Sequence, residues 1–330
     1  MSFSVCFIER RDRDSPSIER VFRSISAELE KLGVLTTFVQ VPYGNDLVST
    51  LRNFIFFRFP RADIYHVTGH IIYIGLVLPR ERTVVTVHDL TILDFRSGLR
   101  GWLIENLYFS WPLRRLKYLT AISDATKSKI AGRLGISSQK IRVINNPLLV
   151  ERSVPGSFDE DKPTILQIGT APNKNLERLI EAIAGRSCRL RIVGRLSPEI
   201  RRRIDSLGIE LFQNETLDDL EIEQAYEEAD IVTLCSTDEG FGLPIIEAQA
   251  KGKTVVTSER PPMSDVAGKG AMLVDPSDTS SIRKGIDEVI ADAGLRERLQ
   301  LAGYENLKRF HPTTIGESYF ELYRSILEDN

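Results

Sequence analysis

Short apolar runs alternate along this chain with longer stretches whose apolar positions recur at helical spacing. Buried strands followed by amphipathic helices produce that alternation, so the pattern predicts an α/β protein built on parallel sheets. In the first half, strands are expected at 4–9, 35–41, 64–67, 83–88, 118–122 and 141–144. Helices are expected over 18–32, 47–57 and 125–134, and around 102–116. From 145 to 163 the periodicity lapses. Pro147, Pro155, Gly156 and Pro163 gather there with the charged run Asp159-Glu160-Asp161-Lys162, the composition of an interdomain linker. The pattern then restarts, with strands at 164–169, 189–193, 210–212, 229–235, 254–257 and 271–274. Helices over 176–184, 198–207, 217–228, 279–290 and 295–310 accompany them, and an amphipathic helix over 313–327 closes the pattern. A length of 330 residues suits two domains of about 150 residues each. The expected architecture is two Rossmann-like domains facing each other across a cleft: 1–150, a linker at 151–163, then 164–312, with 313–330 as a separate helical segment. Ligands in such sheets gather beyond the C-terminal strand ends.

One of those strand ends carries the densest chemistry in the chain. The strand at 229–235 runs into Glu239-Gly240-Phe241-Gly242-Leu243-Pro244-Ile245-Ile246-Glu247, and the helix begun there stops at Gly252. Pro244 suits a first helical position, where its missing N–H costs nothing. Gly240 and Gly242 let the backbone approach a ligand, and the free amides of a helix start favour an anion. Two carboxylates beside an anion site would repel phosphate alone. They fit a ligand that carries hydroxyls next to its phosphates, as a nucleotide sugar does.

With Val255-Val256-Thr257-Ser258 and Met263-Ser264-Asp265-Val266-Ala267-Gly268 downstream, the nonapeptide resembles the signature of the retaining glycosyltransferases of family 4, which have the two-domain GT-B fold. The resemblance extends through 165–176 and 190–194 and is thinner in the first half. It implies that Glu239 faces the donor sugar, that Glu247 holds the ribose hydroxyls, and that the last helix crosses back onto the first domain. It also implies a retaining, metal-independent transfer with no cofactor beyond the nucleotide sugar itself. The leaving diphosphate needs preorganised N–H groups and cations. The amides of Phe241, Gly242 and Leu243 are candidates, as is Lys174 in the loop after Gly169, where a solvated helix-start lysine is the alternative. Relatives carry an arginine near this loop, whereas Thr170 and Asn173 stand here; Arg195, directly after Gly194, is the candidate to supply the charge. His88 closes a buried strand, and the resemblance implies contact with the donor sugar, against the alternative of a hydrogen-bonded core histidine. Asp89, beside it, is a candidate to orient the ring or contact the acceptor. His66 and His70 close the preceding strand and are acceptor-side candidates, with packing and capping as the other account. The loop at 10–19 lacks the glycine pair of many relatives. Ser15 and Ser17 are candidates to offer an amide or hydroxyl there, and Arg10, Arg11 and Arg13 a charge, unless the loop is simply solvated.

Composition narrows the remaining classes. A net charge of -3 gives no case for nucleic-acid binding. Cys6, Cys188 and Cys235 lie in apolar runs without disulfide or zinc spacing and read as core residues of a reducing compartment. The N-terminus lacks the features of a signal peptide, and no apolar run approaches the ~20 residues that span a bilayer; a cytoplasmic protein is expected. Trp102, Tyr108, Phe109 and Trp111 precede the basic run Arg114-Arg115-Leu116-Lys117. A core-facing helix explains this mixture more simply than a membrane-surface helix, which would add peripheral contact at the inner face of the cell membrane. The expected reaction moves a hexose from a UDP- or GDP-sugar to a hydroxyl of a saccharide or lipid-linked saccharide, in polysaccharide or lipopolysaccharide synthesis. The competing readings are a sugar-nucleotide epimerase, a phosphorylase, a retaining glycosidase with carboxylates ~5 Å apart, and a non-catalytic nucleotide-sugar binder.

Overall fold

The computed structural model describes residues 3–11, 17–44, 46–90, 93 and 98–329. Two units share these residues: Met1–Leu149 with His311–Asn330, and Val150–Phe310. The first unit contains β1 (Ser4–Glu9), α1 (Ser17–Lys31), β2 (Leu35–Gln40), α2 (Leu47–Phe56), β3 (Ile64–Val67) and β4 (Thr83–Val87). It continues with α3 (Gly98–Glu105), α4 (Trp111–Arg115), β5 (Tyr118–Ala121), α5 (Asp124–Leu134) and β6 (Ile141–Val143). The strands pair in the order β2-β1-β3-β4-β5-β6, all parallel. β3 and β4 are buried along their whole length, as expected where helices cover both faces of a sheet. Ser123 caps α5 by accepting the Thr126 N–H at 3.1 Å, which satisfies one of the orphan amides of a helix start.

The second unit contains β7 (Thr164–Ile168), α6 (Leu176–Ile183), β8 (Arg189–Val193), α7 (Pro198–Ser206), β9 (Glu210–Asn214) and α8 (Asp219–Glu227). After these come β10 (Ile231–Leu234), α9 (Leu243–Ala250), β11 (Thr254–Ser258), α10 (Met263–Ala267), β12 (Met272–Val274), α11 (Thr279–Ala291) and α12 (Ala293–Asn306). Its sheet is again six-stranded and parallel, ordered β12-β11-β10-β7-β8-β9. In α6, Leu176, Leu179, Ile180 and Ile183 fall on one buried face, and each such side chain contributes roughly 1.5–3 kcal/mol. The three cysteines are buried, and burial pushes the Cys235 thiol up to about 12, so it packs as an apolar group.

The last helix, α13 (Pro312–Glu328), belongs to the first unit and lies along α1. Its Tyr319 and Tyr323 are buried and reach a chain of polar groups in the sheet. Tyr323 Oη lies 2.6 Å from His66 Nδ1. Tyr319 Oη lies 3.2 Å from Thr86 Oγ1, which is itself 2.7 Å from His66 Nε2.

Differences from the sequence reading are local. The helix expected around 102–116 begins at Gly98 and passes through a wider π turn, Asn106–Ser110, between α3 and α4. α8 starts later than expected because Asp218 and Glu221 form a capping box that fixes the helix start there. The segment 295–310 divides into α12 and a 3-10 turn, Leu307–Phe310.

Candidate active site

Two loops at the C-terminal strand ends of the second unit are tied together. The first follows β7. Gly169 sits at φ +87, and a Cβ there would press within 3.0–3.5 Å of the Lys174 side chain, so glycine serves both the turn and the lysine's course. Asn175 takes up the left-handed conformation at φ 60, which asparagine tolerates better than most residues. Its side-chain amide donates to the carbonyls of Cys235 at 2.9 Å and Pro276 at 2.6 Å. The second loop joins β10 to α9. Asn173 donates its amide to Asp238 O at 2.9 Å and accepts the Thr237 N–H at 2.9 Å, so the two loops hold each other in register.

Within that frame Lys174 Nζ donates to Glu239 Oε1 at 2.6 Å, and Ser236 Oγ donates to the same oxygen at 2.7 Å. Both partners of the ion pair are mostly shielded from solvent, where a charge-assisted bond is stronger than on an open surface. Gly242, at φ +103, is the N-cap of α9, and no side chain caps that helix. The helix therefore begins with amides suited to an anionic ligand. Phe241 is buried with its ring edge-on to Phe310 at 5.6 Å; its ring anchors the loop, leaving only its backbone for a ligand. One turn into α9, Glu247 is nearly buried, and Tyr226 of α8 donates its hydroxyl to Glu247 Oε2 at 2.6 Å.

Arg195 does not join this group. Its side chain is 82% exposed and pairs with Glu215 at 3.3 Å, because the backbone leaves β8 with the guanidinium turned to solvent. Only its carbonyl meets the first loop, accepting from Thr170 Oγ1 at 2.7 Å. A cavity of about 580 Å³ lies beside it, lined by Thr170, Pro172, Arg195 and Ser197 among others, but neither Lys174, Glu239 nor Glu247 lines it.

In the first unit, His88, His70 and Asp89 come together. His88 is buried and donates Nε2–H to Thr68 O at 2.7 Å, which fixes its tautomer. Burial pulls its pKa down to about 4, so the ring is neutral at ordinary pH. His70 Nε2 lies 3.7 Å from Asp89 Oδ2, both partly exposed, and the His70 and His88 rings are 6.3 Å apart. His66 is a correction. It is fully buried, and both ring nitrogens are taken up by Tyr323 and Thr86. Burial lowers its pKa to about 3, leaving it no nitrogen to offer an acceptor. In the loop at 10–19, Arg10 pairs with Glu19 at 3.1 Å and Arg11 donates to Pro42 O at 2.8 Å. Ser17 opens α1, whereas Ser15 and Arg13 lie outside the described residues. Sequence reasoning missed Asn175, Ser236 and Tyr226. The αL preference of asparagine marks the first; nothing in local spacing marks the other two.

Two parallel six-stranded α/β units, the second carrying a helix start flanked by Glu239 and Glu247, match the GT-B fold. Residues 151–306 match the family described as "Glycosyl transferases group 1", and residues 27–152 match "Glycosyltransferase Family 4". The O-antigen chain mannosyltransferase RfbU of Salmonella typhimurium is 30% identical over 257 residues, covering 73% of this chain and 71% of that protein. The O-antigen chain mannosyltransferase B of Escherichia coli is 27% identical over 259 residues, covering 70% and 67%. The chain belongs to this family of group 1, family 4 glycosyltransferases. Among solved structures, sucrose-phosphate synthase of Thermosynechococcus elongatus superposes with a TM-score of 0.79 at 17% identity, over 99% of this chain and 100% of that one. Anabaena HepE in complex with UDP-glucose gives 0.76 at 17%, over 98% and 100%. At that identity the two structures speak for the fold alone.

Proposed function

We propose that this glycosyltransferase moves a hexose, with retention and without a metal ion, from a UDP- or GDP-linked donor to a hydroxyl of a saccharide or lipid-linked saccharide. The setting is cell-surface polysaccharide or lipopolysaccharide synthesis on the cytoplasmic side, with no cofactor beyond the donor. The observation that carries the reading is the Lys174–Glu239 pair at 2.6 Å in the two loops at the start of α9. An ammonium has three donors, so Lys174 can keep Glu239 while turning another N–H to the diphosphate. As the bond from the anomeric carbon to the diphosphate lengthens, negative charge grows on the leaving oxygen. Lys174 and the first amides of α9 are preorganised to meet that charge. Glu239 is then placed for the sugar hydroxyls, and Glu247, steadied by Tyr226, for the ribose diol.

The names of the Salmonella and E. coli relatives make a mannosyl donor the first to try. The test incubates purified protein with a panel of UDP- and GDP-sugars and follows release of nucleoside diphosphate, with and without EDTA and with Glu239→Ala as control. One donor should be consumed, at a rate indifferent to EDTA and lost in the variant. Tight nucleotide binding without turnover of any donor, even with candidate acceptors supplied, would leave a sugar-nucleotide binder instead. The anomeric configuration of the product, read by NMR, decides retention.

A further inference from the structure

Glu239 offers its two carboxylate oxygens unequally. Oε1 accepts both the Lys174 ammonium at 2.6 Å and the Ser236 hydroxyl at 2.7 Å. A carboxylate oxygen has two lone-pair sites, so Oε1 is fully engaged. No hydrogen bond from the described residues reaches Oε2. The side chain is mostly enclosed yet keeps 12% of its surface exposed, so a hydroxyl that reaches Oε2 forms a charge-assisted bond with little competition from water.

The two donors come from different loops and differ in stiffness. Lys174 follows β7 and reaches the carboxylate on a flexible four-carbon stem. Ser236 lies two residues past the end of β10 and is fully buried. Its backbone is pinned on both sides: the Asn175 amide donates to Cys235 O at 2.9 Å, and the Thr237 N–H donates to Asn173 O at 2.9 Å. The serine hydroxyl therefore projects from a fixed base, on a side chain with a single carbon before the oxygen. The last torsion of a glutamate is broad and soft, so the plane of the Glu239 carboxylate takes its direction from its partners. Of the two, Ser236 is the rigid one.

We infer that Ser236 is a positioning residue that sets donor-sugar specificity: with Lys174 it fills Oε1, so Glu239 reads one sugar hydroxyl through Oε2 alone. A vicinal pair of hydroxyls bridging both oxygens is thereby refused. The inference rests on the assignment of Glu239 to the donor sugar under Proposed function. Ser236→Ala reopens a lone pair on Oε1 and removes the rigid guide. It should lower kcat roughly 10- to 100-fold, the scale of a small misplacement at a reacting centre, and narrow the preference for the native donor over its epimers. Affinity for the bare nucleoside diphosphate should stay within about twofold, and Ser236→Thr, which keeps a hydroxyl, should recover most of the discrimination. Steady-state kinetics use the donor consumed in the panel of UDP- and GDP-sugars, its epimers and its monodeoxy analogues. In the Glu239→Ala background Ser236→Ala should add nothing, whereas a merely structural serine would cost the same in both backgrounds. Should Ser236→Ala fail to fold, the monodeoxy donors decide with wild type and Glu239→Ala: removal of one hydroxyl, and only one, should erase the difference between the two enzymes. Two such hydroxyls would overturn the inference. So would a folded Ser236→Ala with wild-type kcat and discrimination beside a crippled Glu239→Ala, which leaves the assignment of Glu239 standing. A Glu239→Ala enzyme with undiminished transfer would instead remove that assignment, and the role of Ser236 with it.

Discussion

Glu247→Ala tests the ribose assignment most directly. Glu247 sits in a nearly closed environment with the Tyr226 hydroxyl 2.6 Å from Oε2, so the carboxylate is held before any ligand arrives. Hydrogen bonds from a diol to a charged acceptor contribute about 1.5–3 kcal/mol. At 1.4 kcal/mol per decade, their loss predicts roughly 10- to 150-fold weaker binding of UDP or GDP. The variant also removes the acceptor of the buried Tyr226 hydroxyl's 2.6 Å hydrogen bond, at a cost of about 1–3 kcal/mol to folding, so titrations belong well below the lowered melting point. Isothermal calorimetry with each nucleotide and its 2′-deoxy counterpart separates the effects. The wild type should prefer the ribonucleotide, and the variant should lose that preference. Tyr226→Phe keeps the carboxylate but removes this hydrogen bond to it, so it should weaken ribonucleotide binding by a smaller factor. In the Glu247→Ala background it should do nothing further. An unchanged affinity in Glu247→Ala, or an equal loss for the deoxynucleotide, refutes the ribose assignment. A full loss in Glu247→Ala with no effect in Tyr226→Phe refutes only the positioning by Tyr226.

Lys174→Ala should cut turnover by about 100-fold or more, the scale of losing one preorganised stabiliser, while Arg195→Ala, turned to solvent against Glu215, should leave kcat within about twofold; steady-state kinetics of both variants check the contrast. Glu239→Ala should damage kcat and discrimination among donor sugars far more than affinity for the bare nucleotide, and equal damage to both would show its role and that of Glu247 exchanged. His88→Ala should stay folded, bind nucleotide nearly normally and lose most transfer; full activity in a soluble variant would remove His88 from the chemistry. Acid should destabilise the first unit, because His66 and His88 are neutral when folded, near 3 and 4, but take up a proton near 6.5 when unfolded. The unfolded chain thus binds more protons below about pH 6.5. Stability is complete above that pH and falls by about 1.4 kcal/mol per pH unit for each histidine down toward pH 4 and 3, so about 2 kcal/mol each at pH 5. Urea titrations at pH 7 and 5 should show that loss, reduced in His66→Gln.

Most of the secondary structure was legible because parallel strands buried on two faces give near-continuous apolar runs. Three features escaped for physical reasons. α10 spans only Met263–Ala267, too short to show helical periodicity. The π turn at Asn106–Ser110 leaves the apolar spacing nearly helical. Strand β9 runs on to Asn214 through the polar pair Gln213-Asn214, which no apolar pattern records. At the site, Glu239, Gly242 and Glu247 stood out because they lie in one short linear stretch with a glycine-bordered helix start, and Lys174 because of the resemblance to family 4. Tyr226 could not, since its meeting with Glu247 depends on how α8 lies against α9. His66 shows the same limit from the other side: its place at a strand end suggested a ligand. Which face of β3 it uses, and that α13 covers that face, are tertiary facts.

The return of α13 to α1 fixes an order of events in biosynthesis. A ribosome releases residues 1–149, then all of 150–310, and only afterwards the helix that supplies Tyr319 and Tyr323 to the first sheet. The second unit has its full complement of strands as soon as it emerges and is free to fold on its own schedule. The first must wait, with His66 and Thr86 lacking those tyrosine partners, until translation has passed through its neighbour. Chaperone demand should therefore fall on the segment made first, and a chain shortened at residue 311 should express as a sound second unit attached to an unfinished first.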